Sequence, residues 1–451
     1  MKPFKHQIVS LEHDAKNPLV FDCSDPGTGK TYVRIMAFSK RRGAGGGCAL
    51  VLAPRSLLRN VWAADVRKFA ALLAVSVADA KNREAAFNVA ADIYVTNIDA
   101  ATWLARQPKA FFSRFSELIL DESDAFKHHT SQRSKAILKI SKYFEHRKLL
   151  TGTPNTNSIT DIWHQAMILD QGARLGNSFY RFRDTVCSPQ QVGRSAQMIK
   201  WHDRPGAEEA VFGLLSDITI RHEFADCVDI PANHSYELDF FLTAAQEKSY
   251  KELEETALLE LDKLGSKVTA INAAAVATKL LQVSSGAVYF SPDKYRVVDT
   301  ARYELVLDLV QQRKHSLVFF LWKHQRDLLI AEAEKRKVRY CVFDGAATDL
   351  QRHEMVTGYQ AGVFQVMFAH PASAGHGLTL TRGSCTIWAS PTYNLGHFAQ
   401  GNRRIPRIGQ VQKTETISIL AKDTLEERVY HEILMGKNKR MTNLLTLFSA
   451  K

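Results

Sequence analysis

The chain has 451 residues, which is too long for one ordinary hydrophobic core and predicts two or three domains. Its formal net charge of +12 indicates a polyanionic partner, although charge alone does not separate DNA from RNA or from an anionic membrane. The six cysteines are scattered without a C-x-x-C pair, which argues against a disulfide framework or a zinc ribbon and favours a reducing cytoplasm. Charged residues stand where a signal peptide would have its apolar run, and no later segment is long enough to span a bilayer, so we expect no membrane association.

In the first third of the chain, short apolar runs rich in valine, isoleucine and leucine alternate with longer amphipathic segments. This alternation predicts buried parallel strands joined by helices. The predicted strands are LVFDC, CALVLAP, DIYVTN, ELILDE and KLLTGTP. From about residue 158 to 222 the pattern becomes helical and rich in aromatic residues.

A second predicted helical block, about 243–285, follows the turn-like segment DIPANHS. The alternation then resumes with SLVFFLW, RYCVFDG, FQVMFAH, CTIWAS and ETISILA. The sequence therefore predicts two α/β lobes, residues 1–230 and 231–451, each with a helical insertion. The boundary falls near Pro231, to within about a dozen residues.

The first candidate site is the segment SDPGTGKTY, which follows a predicted strand and precedes a predicted helix. Gly27 and Gly29 allow the backbone to curl so that successive amides point at phosphate oxygens, and the start of the helix adds partial positive charge. Lys30 would reach the β- and γ-phosphates, and the Thr31 hydroxyl would be a ligand of magnesium. Ser24 stands where the full P-loop pattern has its first glycine, so a glycine-rich turn with a surface lysine is the alternative interpretation.

An acidic pair ends another predicted strand in SELILDESD. Asp121 would hold magnesium through water, and Glu122 would polarise the attacking water. An acidic turn after a strand is common, so the pair gains its meaning from the loop upstream. The next strand runs into the segment Thr151–Pro154, whose small hydroxyl residues could couple the phosphate state to motion.

The C-terminal half carries FAQGNRRIPRIGQ, in which Arg404 and Arg407 are spaced by one helical turn. This spacing predicts that both guanidinium groups project from one face of a helix. Planar, permanently charged groups suit the negative charge of a transferring γ-phosphate. A basic surface helix that touches nucleic acid directly is the alternative.

These segments, in this order, resemble the superfamily-two helicases, and most closely the Swi/Snf-type ATP-dependent DNA translocases, over nearly the whole chain. The resemblance is carried by DPGTGKT, LAPRSLLRNVWAADVRKF, DESDAFKHHTSQRSKAIL, ITIRHEFADCVDIPANHSYELDFFLTAAQEKSYKEL, RYCVFDGAATDLQRHEMVTGYQAG and SAGHGLTLTRGSCTIWASPTYNLGHFAQGNRRIPRIGQ. It implies an α/β fold of two RecA-like parallel-sheet lobes with an ATP cleft between them.

The resemblance also implies roles for individual positions. The ATPase site between the lobes would consist of Gln7, which would contact adenine, and of Gly27, Thr28, Gly29, Lys30, Thr31, Asp121, Glu122, Gln400, Arg404 and Arg407. The nucleic-acid track would be lined by Arg55, Ser56, Lys127, Ser373 and Thr379. The chain departs from the family pattern at Asp124, His128, Thr379 and Arg403, which leaves substrate preference and coupling open.

The expected activity is that of a minimal, bacterial or phage-encoded motor that uses ATP and Mg²⁺ to translocate on DNA, with duplex DNA as the first candidate. A strand-separating helicase or fork-remodelling enzyme, acting on single-stranded or forked DNA, is the alternative. A non-hydrolysing nucleic-acid-binding scaffold is a third interpretation, against which the intact Lys30, Glu122 and both arginines argue. We expect a monomer in the cytoplasm of a bacterial or phage-infected cell; the sequence identifies no protein partner.

Overall fold

The computed structural model describes residues 2–155, 157–191, 199–227, 230–264, 270–374 and 378–438, and gives the backbone alone for 257–264, 270–274 and 349. Contacts divide the chain into two units, the first containing Met1–Asp229 and the second Ile230–Lys437.

The first unit is built on parallel strands with helices between them. Its strands are β1 (Leu19–Asp22), β2 (Cys48–Ala53), β3 (Val75–Ala78), β4 (Ile93–Asn97), β5 (Phe115–Asp121), β6 (His146–Leu150), β7 (Cys187–Gln191), β8 (Ile199–Asp203) and β9 (Thr219–Ile220). Its helices are α1 (Lys5–Lys16), α2 (Lys30–Gly43), α3 (Ala64–Phe69), α4 (Arg83–Asn88), α5 (Ala101–Leu104), α6 (Gln132–Ser141), α7 (Asp161–Asp170), α8 (Phe179–Val186), α9 (Ala207–Leu215) and α10 (Phe224–Cys227). Short 3₁₀ turns span Ile98–Ala100, Lys109–Arg114 and Ser123–Phe126, and a π-helical turn spans Leu58–Ala63.

The second unit repeats this plan. Its strands are β10 (Asn233–Phe240), β11 (Ala287–Ser291), β12 (Lys294–Val297), β13 (Ser316–Phe319), β14 (Tyr340–Phe343), β15 (Val366–Ala369), β16 (Cys385–Trp388) and β17 (Thr414–Ala421). Its helices are α11 (Ala244–Leu264), α12 (Ala270–Ser284), α13 (Ala301–Gln311), α14 (Lys323–Lys335), α15 (Asp349–Ala361), α16 (Pro371–Ala374), α17 (Leu395–Asn402) and α18 (Leu425–Arg428), and a π-helical turn spans Val429–Met435.

Each unit is centred on one parallel sheet. The strand order is β3-β4-β2-β5-β6-β1-β9 in the first unit and β10-β17-β16-β13-β15-β14 in the second. All pairings within these two sheets are parallel. Helices cover both faces of such sheets, so the central strands read as continuous apolar runs; all six residues of β2 are buried. The predicted α/β fold with two parallel sheets is confirmed.

The prediction was wrong where strands are short, polar or exposed. The segment predicted as helical contains the antiparallel hairpin β7–β8 and the two-residue strand β9 in addition to helices. The last three residues of the turn-like segment DIPANHS already belong to β10, which is largely exposed and, among the described strands, is an edge strand paired only with β17. Edge strands with one covered side lack the apolar run that identifies a central strand.

A buried ion cluster fastens α1 and α2 to strands β5 and β6. The Asp14 carboxylate contacts both Arg34 and Arg41, and it lies 3.3 Å from the Lys148 ammonium. Arg41 also pairs with Glu117 at 2.7 Å. Burial opposes ionisation of Asp14, but the three cations outweigh it and lower the pKa of that carboxyl from 3.8 to about 2. The cluster therefore fixes the two helices that flank the first candidate loop.

No helix in the described part of the chain combines the length and the apolar character needed to cross a membrane.

Candidate active site

The polar segments singled out in the N-terminal half all follow strands at one edge of the first sheet. Asp22 of β1 and Asp121 of β5 are both paired in register with Leu150 of β6, so these three strands end at the same level. Neighbouring strands lie about 4.8 Å apart, so the segments that follow β1 and β5 begin about 10 Å from each other. The carboxyl edge of a parallel sheet is where ligands bind in such folds.

The loop after β1 has the conformation that its glycines permit. Gly27 and Gly29 have φ angles of 95° and 87°, in the left-handed region. Gly29 is also tightly enclosed, because a Cβ added there would lie 2.4 Å from Nε2 of Gln7. Helix α2 begins immediately afterwards at Lys30. A curled loop that leads into a helix N-terminus is a ready anion site.

The Lys30 ammonium lies over its own loop. It donates hydrogen bonds to the carbonyl oxygens of Ser24 at 2.5 Å and Asp25 at 3.2 Å. An anionic oxygen bound in the loop can replace these two carbonyl oxygens as the hydrogen-bond acceptor of the Lys30 ammonium. Thr31, the next residue, is half-buried in the first turn of α2.

Residues that follow β9, about 200 positions further along the chain, also hold this loop. Arg221 donates to an Asp25 carboxylate oxygen at 2.7 Å and to the Cys23 carbonyl at 2.8 Å. The His222 amide donates to the Ser24 hydroxyl at 3.1 Å. The serine in place of the first glycine thus accepts a hydrogen bond that glycine could not. Sequence reasoning missed Arg221 and His222, since the only signal was their place in the quoted segment ITIRHEF.

Gln7 lies on α1 against the same loop. Its Oε1 accepts from the Phe4 amide at 3.0 Å, and its Nε2 donates to the Thr28 carbonyl at 3.3 Å. Nε2 of His6 lies 2.8 Å from the same Thr28 oxygen. The structure places Gln7 beside the loop, and its contact with adenine stays a prediction.

The acidic pair has two features that its sequence does not announce. Trp62, which is completely buried, donates its indole N–H to Oδ2 of Asp121 at 2.9 Å. This bond holds one carboxylate oxygen in place. Glu122 adopts the left-handed conformation, with φ 54° and ψ 58°. Such a conformation is uncommon for a residue with a Cβ, and it persists where the surroundings fix the backbone, often at functional sites.

The segment that follows β6 packs directly on the first loop. A Cβ added at Gly152 would lie 2.8 Å from Pro26, so no larger residue fits between the two segments. Thr153 Oγ1 and Asn155 Oδ1 are buried without a hydrogen-bond partner among the described residues. Buried polar atoms of this kind are rare in folded proteins and suit a site that receives a polar ligand.

The predicted nucleic-acid residues lie in both units. Arg55 is exposed and Ser56 half-buried just after β2, at the same edge of the first sheet. Lys127 follows the acidic pair, and its ammonium lies 3.4 Å from the Asp161 carboxylate. Ser373 is half-buried on α16 of the second unit. Their contact with nucleic acid stays a prediction.

The predicted helix through Arg404 and Arg407 is wrong. Helix α17 ends at Asn402, and both arginines lie in the turn that follows. Pro406 cannot donate a backbone hydrogen bond and disfavours the helical conformation of the residue before it. That residue, Ile405, is completely buried and anchors the turn in the core of the second unit.

The two guanidinium groups nevertheless converge. Nη1 of Arg404 and Nη1 of Arg407 lie 3.4 Å and 2.6 Å from the Leu378 carbonyl. Thr379, next in the chain, is half-buried. Gln400 is buried on α17, and its Oε1 finds no hydrogen-bond partner in the described segments. Within the second unit the two arginines thus share one carbonyl partner, and Gln400 lies on the helix that precedes them; the juxtaposition of all three with Lys30 stays a prediction.

Comparison with known proteins identifies the family. The model of the SNF2-related domain family matches residues 8–285, more than half of the chain. Putative protein p41 of Acyrthosiphon pisum secondary endosymbiont phage 1 is 29% identical over 449 residues, which is 95% of this chain and 94% of that protein. An uncharacterized ATP-dependent helicase of Mycoplasma pneumoniae is 23% identical over 84% of this chain and 36% of its own length.

Two further matches are more distant. The human DNA annealing helicase and endonuclease ZRANB3 is 26% identical over 69% of this chain and 28% of its own length. The chain therefore spans nearly all of the phage protein but only about a third of the mycoplasma and human proteins. The Sulfolobus solfataricus SWI2/SNF2 ATPase core in complex with dsDNA covers 100% of this chain with 95% of its own, at 19% identity and a TM-score of 0.45, too low to support an argument. On the strength of the family model, the chain belongs to the SNF2-related domain family of ATPase and helicase enzymes.

Proposed function

We propose that this protein hydrolyses ATP to translocate on duplex DNA, remodelling DNA or DNA–protein complexes in the cytoplasm of a bacterial or phage-infected cell. The observation that carries the proposal is the edge of the first sheet, where the curled loop over which the Lys30 ammonium lies begins level with Asp121. Family membership supports the same activity.

The residues at this edge fit a nucleoside triphosphate with magnesium. The loop offers backbone amides and an ammonium to phosphate oxygens, and Thr31 and Asp121 offer the hard oxygen ligands that magnesium prefers. When bound, magnesium would neutralise charge on the β- and γ-phosphates. The Trp62 indole N–H, which donates to one oxygen of Asp121, would orient this carboxylate toward the metal or its water.

Glu122 is the residue proposed to orient and polarise the attacking water. Its left-handed backbone turns the side chain away from the course that the strand β5 would give it. Arg404 and Arg407 are proposed to approach the γ-phosphate from the second unit and to stabilise its developing charge. Hydrolysis would then remove the group that both units hold, and this release would drive the motion.

The grip on DNA is proposed to act through phosphates. The net charge of +12 and the basic side chains Arg55 and Lys127 suit contacts that do not depend on base sequence. Binding should therefore weaken steeply as salt rises. Monomeric protein suffices for this mechanism, since each chain carries both proposed halves of the site.

The test is ATP turnover measured with duplex DNA, single-stranded DNA and RNA. Duplex DNA should stimulate turnover most, and Lys30→Ala and Glu122→Gln should abolish it. Stimulation by RNA alone would refute the choice of DNA. Turnover that is unchanged in both variants would refute hydrolysis at this site and favour a binding scaffold.

Translocation is separated from strand separation by two substrates. A translocase on duplex should displace the third strand of a triplex in the presence of ATP and leave a forked duplex paired. Unwinding or reannealing of the fork would instead favour a helicase or a fork-remodelling enzyme.

A further inference from the structure

Helix α7 presents three buried polar side chains on one face. Asp161, His164 and Gln165 are three and four residues apart, the spacing that places side chains together on a helix. Each holds a different part of the segment that follows Glu122. The contacts are Ser123 Oγ to Gln165 Oε1 at 2.7 Å, His164 Nδ1 to the Phe126 oxygen at 2.7 Å, and Lys127 Nζ to Asp161 Oδ2 at 3.4 Å.

Gln165 also reaches a second segment. Its Nε2 donates to the Pro154 carbonyl at 2.9 Å, in addition to the Asp161 carbonyl of its own helix at 3.1 Å. The side chain is completely buried, and both amide donors and the oxygen are used. One side chain therefore joins the residue next to Glu122 to the end of the segment Thr151–Pro154, whose Gly152 packs on Pro26 of the phosphate loop.

We propose that Gln165 is a positioning residue that makes Glu122 move together with Thr151–Pro154. The inference rests on the proposed function, since it concerns how the hydrolytic carboxylate is set. Water cannot replace these hydrogen bonds in a fully buried site, so separating the two segments would leave polar groups unpaired. A displacement of the phosphate loop would thus reach the backbone of Glu122 through Pro154, Gln165 and Ser123.

The same helix face extends the link toward nucleic acid. Asp161 holds Lys127, a predicted nucleic-acid residue, on the helix that also carries Gln165. A nucleic-acid phosphate that binds Lys127 would compete with the ion pair between Lys127 and Asp161 and so change a contact that holds α7. The hydrogen bonds of Gln165 to Ser123 and Pro154 should therefore affect the rate of turnover most when nucleic acid is present.

The experiment compares Ser123→Ala and Gln165→Met with wild-type protein. Ser123→Ala removes only the hydrogen bond between Ser123 and Gln165. Gln165→Met removes this bond and the bond to the Pro154 carbonyl, with little change in side-chain volume. Gln246→Met is the matched control, because the buried Gln246 amide likewise donates to two carbonyls, those of Val283 and Ser284, but lies in the second unit.

We expect the ratio of nucleic-acid-stimulated to basal turnover to fall about tenfold in both variants, with the KM for ATP within about twofold of wild type, because small misplacements of a reacting group cost up to about 100-fold. In the double variant, Ser123→Ala with Gln165→Met, the ratio of stimulated to basal turnover should fall no further than in Gln165→Met alone. The reason is that Ser123 acts through its hydrogen bond to Gln165, which Gln165→Met already removes. The control should keep the wild-type ratio. A purely structural role would reduce the amount of active protein and leave the ratio unchanged.

A second measurement does not depend on turnover. Hydrogen exchange of the backbone amides in 122–126 should accelerate in Ser123→Ala and stay unchanged in Gln246→Met. Unchanged stimulation ratios and unchanged exchange in folded variants would overturn the role of Gln165. Absence of any turnover in wild-type protein would instead refute the proposed function, and the exchange measurement would still decide whether the link exists.

Discussion

Replacing Asp14 with asparagine tests the buried ion cluster that holds α1 and α2. The substitution keeps the shape of the side chain and removes its charge, so it creates no cavity. Arg34, Arg41 and Lys148 remain buried or largely buried around the position with less negative charge to balance them.

The structure sets the size of the effect. The shift of the Asp14 pKa from 3.8 to about 2 corresponds to about 2 kcal/mol of preference for the charged form. Removing one partner of a buried ion pair costs about 3–5 kcal/mol, because the other partner keeps its desolvation penalty. We therefore predict a loss of about 3 kcal/mol in the free energy of unfolding. For a unit of this size, that loss corresponds to a fall of about 10 °C in the melting temperature.

Urea and thermal denaturation followed by circular dichroism measure this loss. Asp217→Asn is the matched control, since Asp217 pairs with Arg174 at 2.5 Å but is 60% exposed, and exposed pairs contribute at most about 1 kcal/mol. Adding Lys148→Met to Asp14→Asn should recover part of the loss, because a cation and an anion then leave together. A loss in the free energy of unfolding as small in Asp14→Asn as in Asp217→Asn would contradict the stabilising role of the buried ion cluster.

The same carboxylate predicts a pH dependence. The pKa of Asp14 is lower in the folded than in the unfolded chain, so its stabilising contribution is complete above about pH 4 and is lost as the pH falls toward 2. Asp14→Asn should lack this part of the acid-induced loss of stability, as measured by denaturation at a series of pH values.

Three substitutions test the candidate site itself. Trp62→Phe removes the donor to Asp121, so the magnesium concentration for half-maximal turnover should rise several-fold, measured by magnesium titration. Arg221→Gln removes the cation from Asp25 in the loop, so nucleotide affinity should fall about tenfold, the loss of one charge-assisted hydrogen bond; equilibrium binding of a fluorescent ATP analogue measures it. Gly29→Ala places a methyl group 2.4 Å from a buried amide at φ 87°, so binding of the same analogue should be lost.

Gly29→Ala has a matched control in the same helix region, and the other two substitutions each have a result that would contradict the proposed role. Gly43→Ala lies at the end of the same helix α2, where the added methyl meets nothing within 4 Å, and should leave nucleotide binding unchanged. Nucleotide affinity at the wild-type level in Arg221→Gln would show that nucleotide binding does not depend on the contacts of Arg221 with Cys23 and Asp25. An unchanged magnesium requirement in Trp62→Phe would show that the indole does not position Asp121, the carboxylate proposed to bind magnesium.

The central strands and the conformation of the glycine-rich loop after β1 could be predicted from sequence because their signals are local. A fully buried parallel strand such as β2 must be apolar throughout, and glycines at 27 and 29 serve a backbone that only glycine adopts easily. The acidic pair could be found for the same reason, since it ends a strand of this kind.

The supporting contacts could not be found in this way. Arg221 and Gln165 act through partners about 200 and 40 positions away, and neither stands in a pattern that distinguishes it from a surface or core residue. The turn that carries Arg404 and Arg407 was missed because their spacing matched a helix, while the proline between them and the burial of Ile405 decide the backbone.

We propose that groups from both units act on one triphosphate. Single-turnover hydrolysis of ATP by Arg404→Ala and Arg407→Ala, measured beside equilibrium ATP binding, tests it most directly, with the neighbouring Arg403→Ala as control. We predict that hydrolysis falls about 1,000-fold in at least one of the two variants, as for other arginines that stabilise a transferring phosphoryl group, while ATP still binds the first unit and the control turns over normally. Hydrolysis at the wild-type rate in both variants would contradict it.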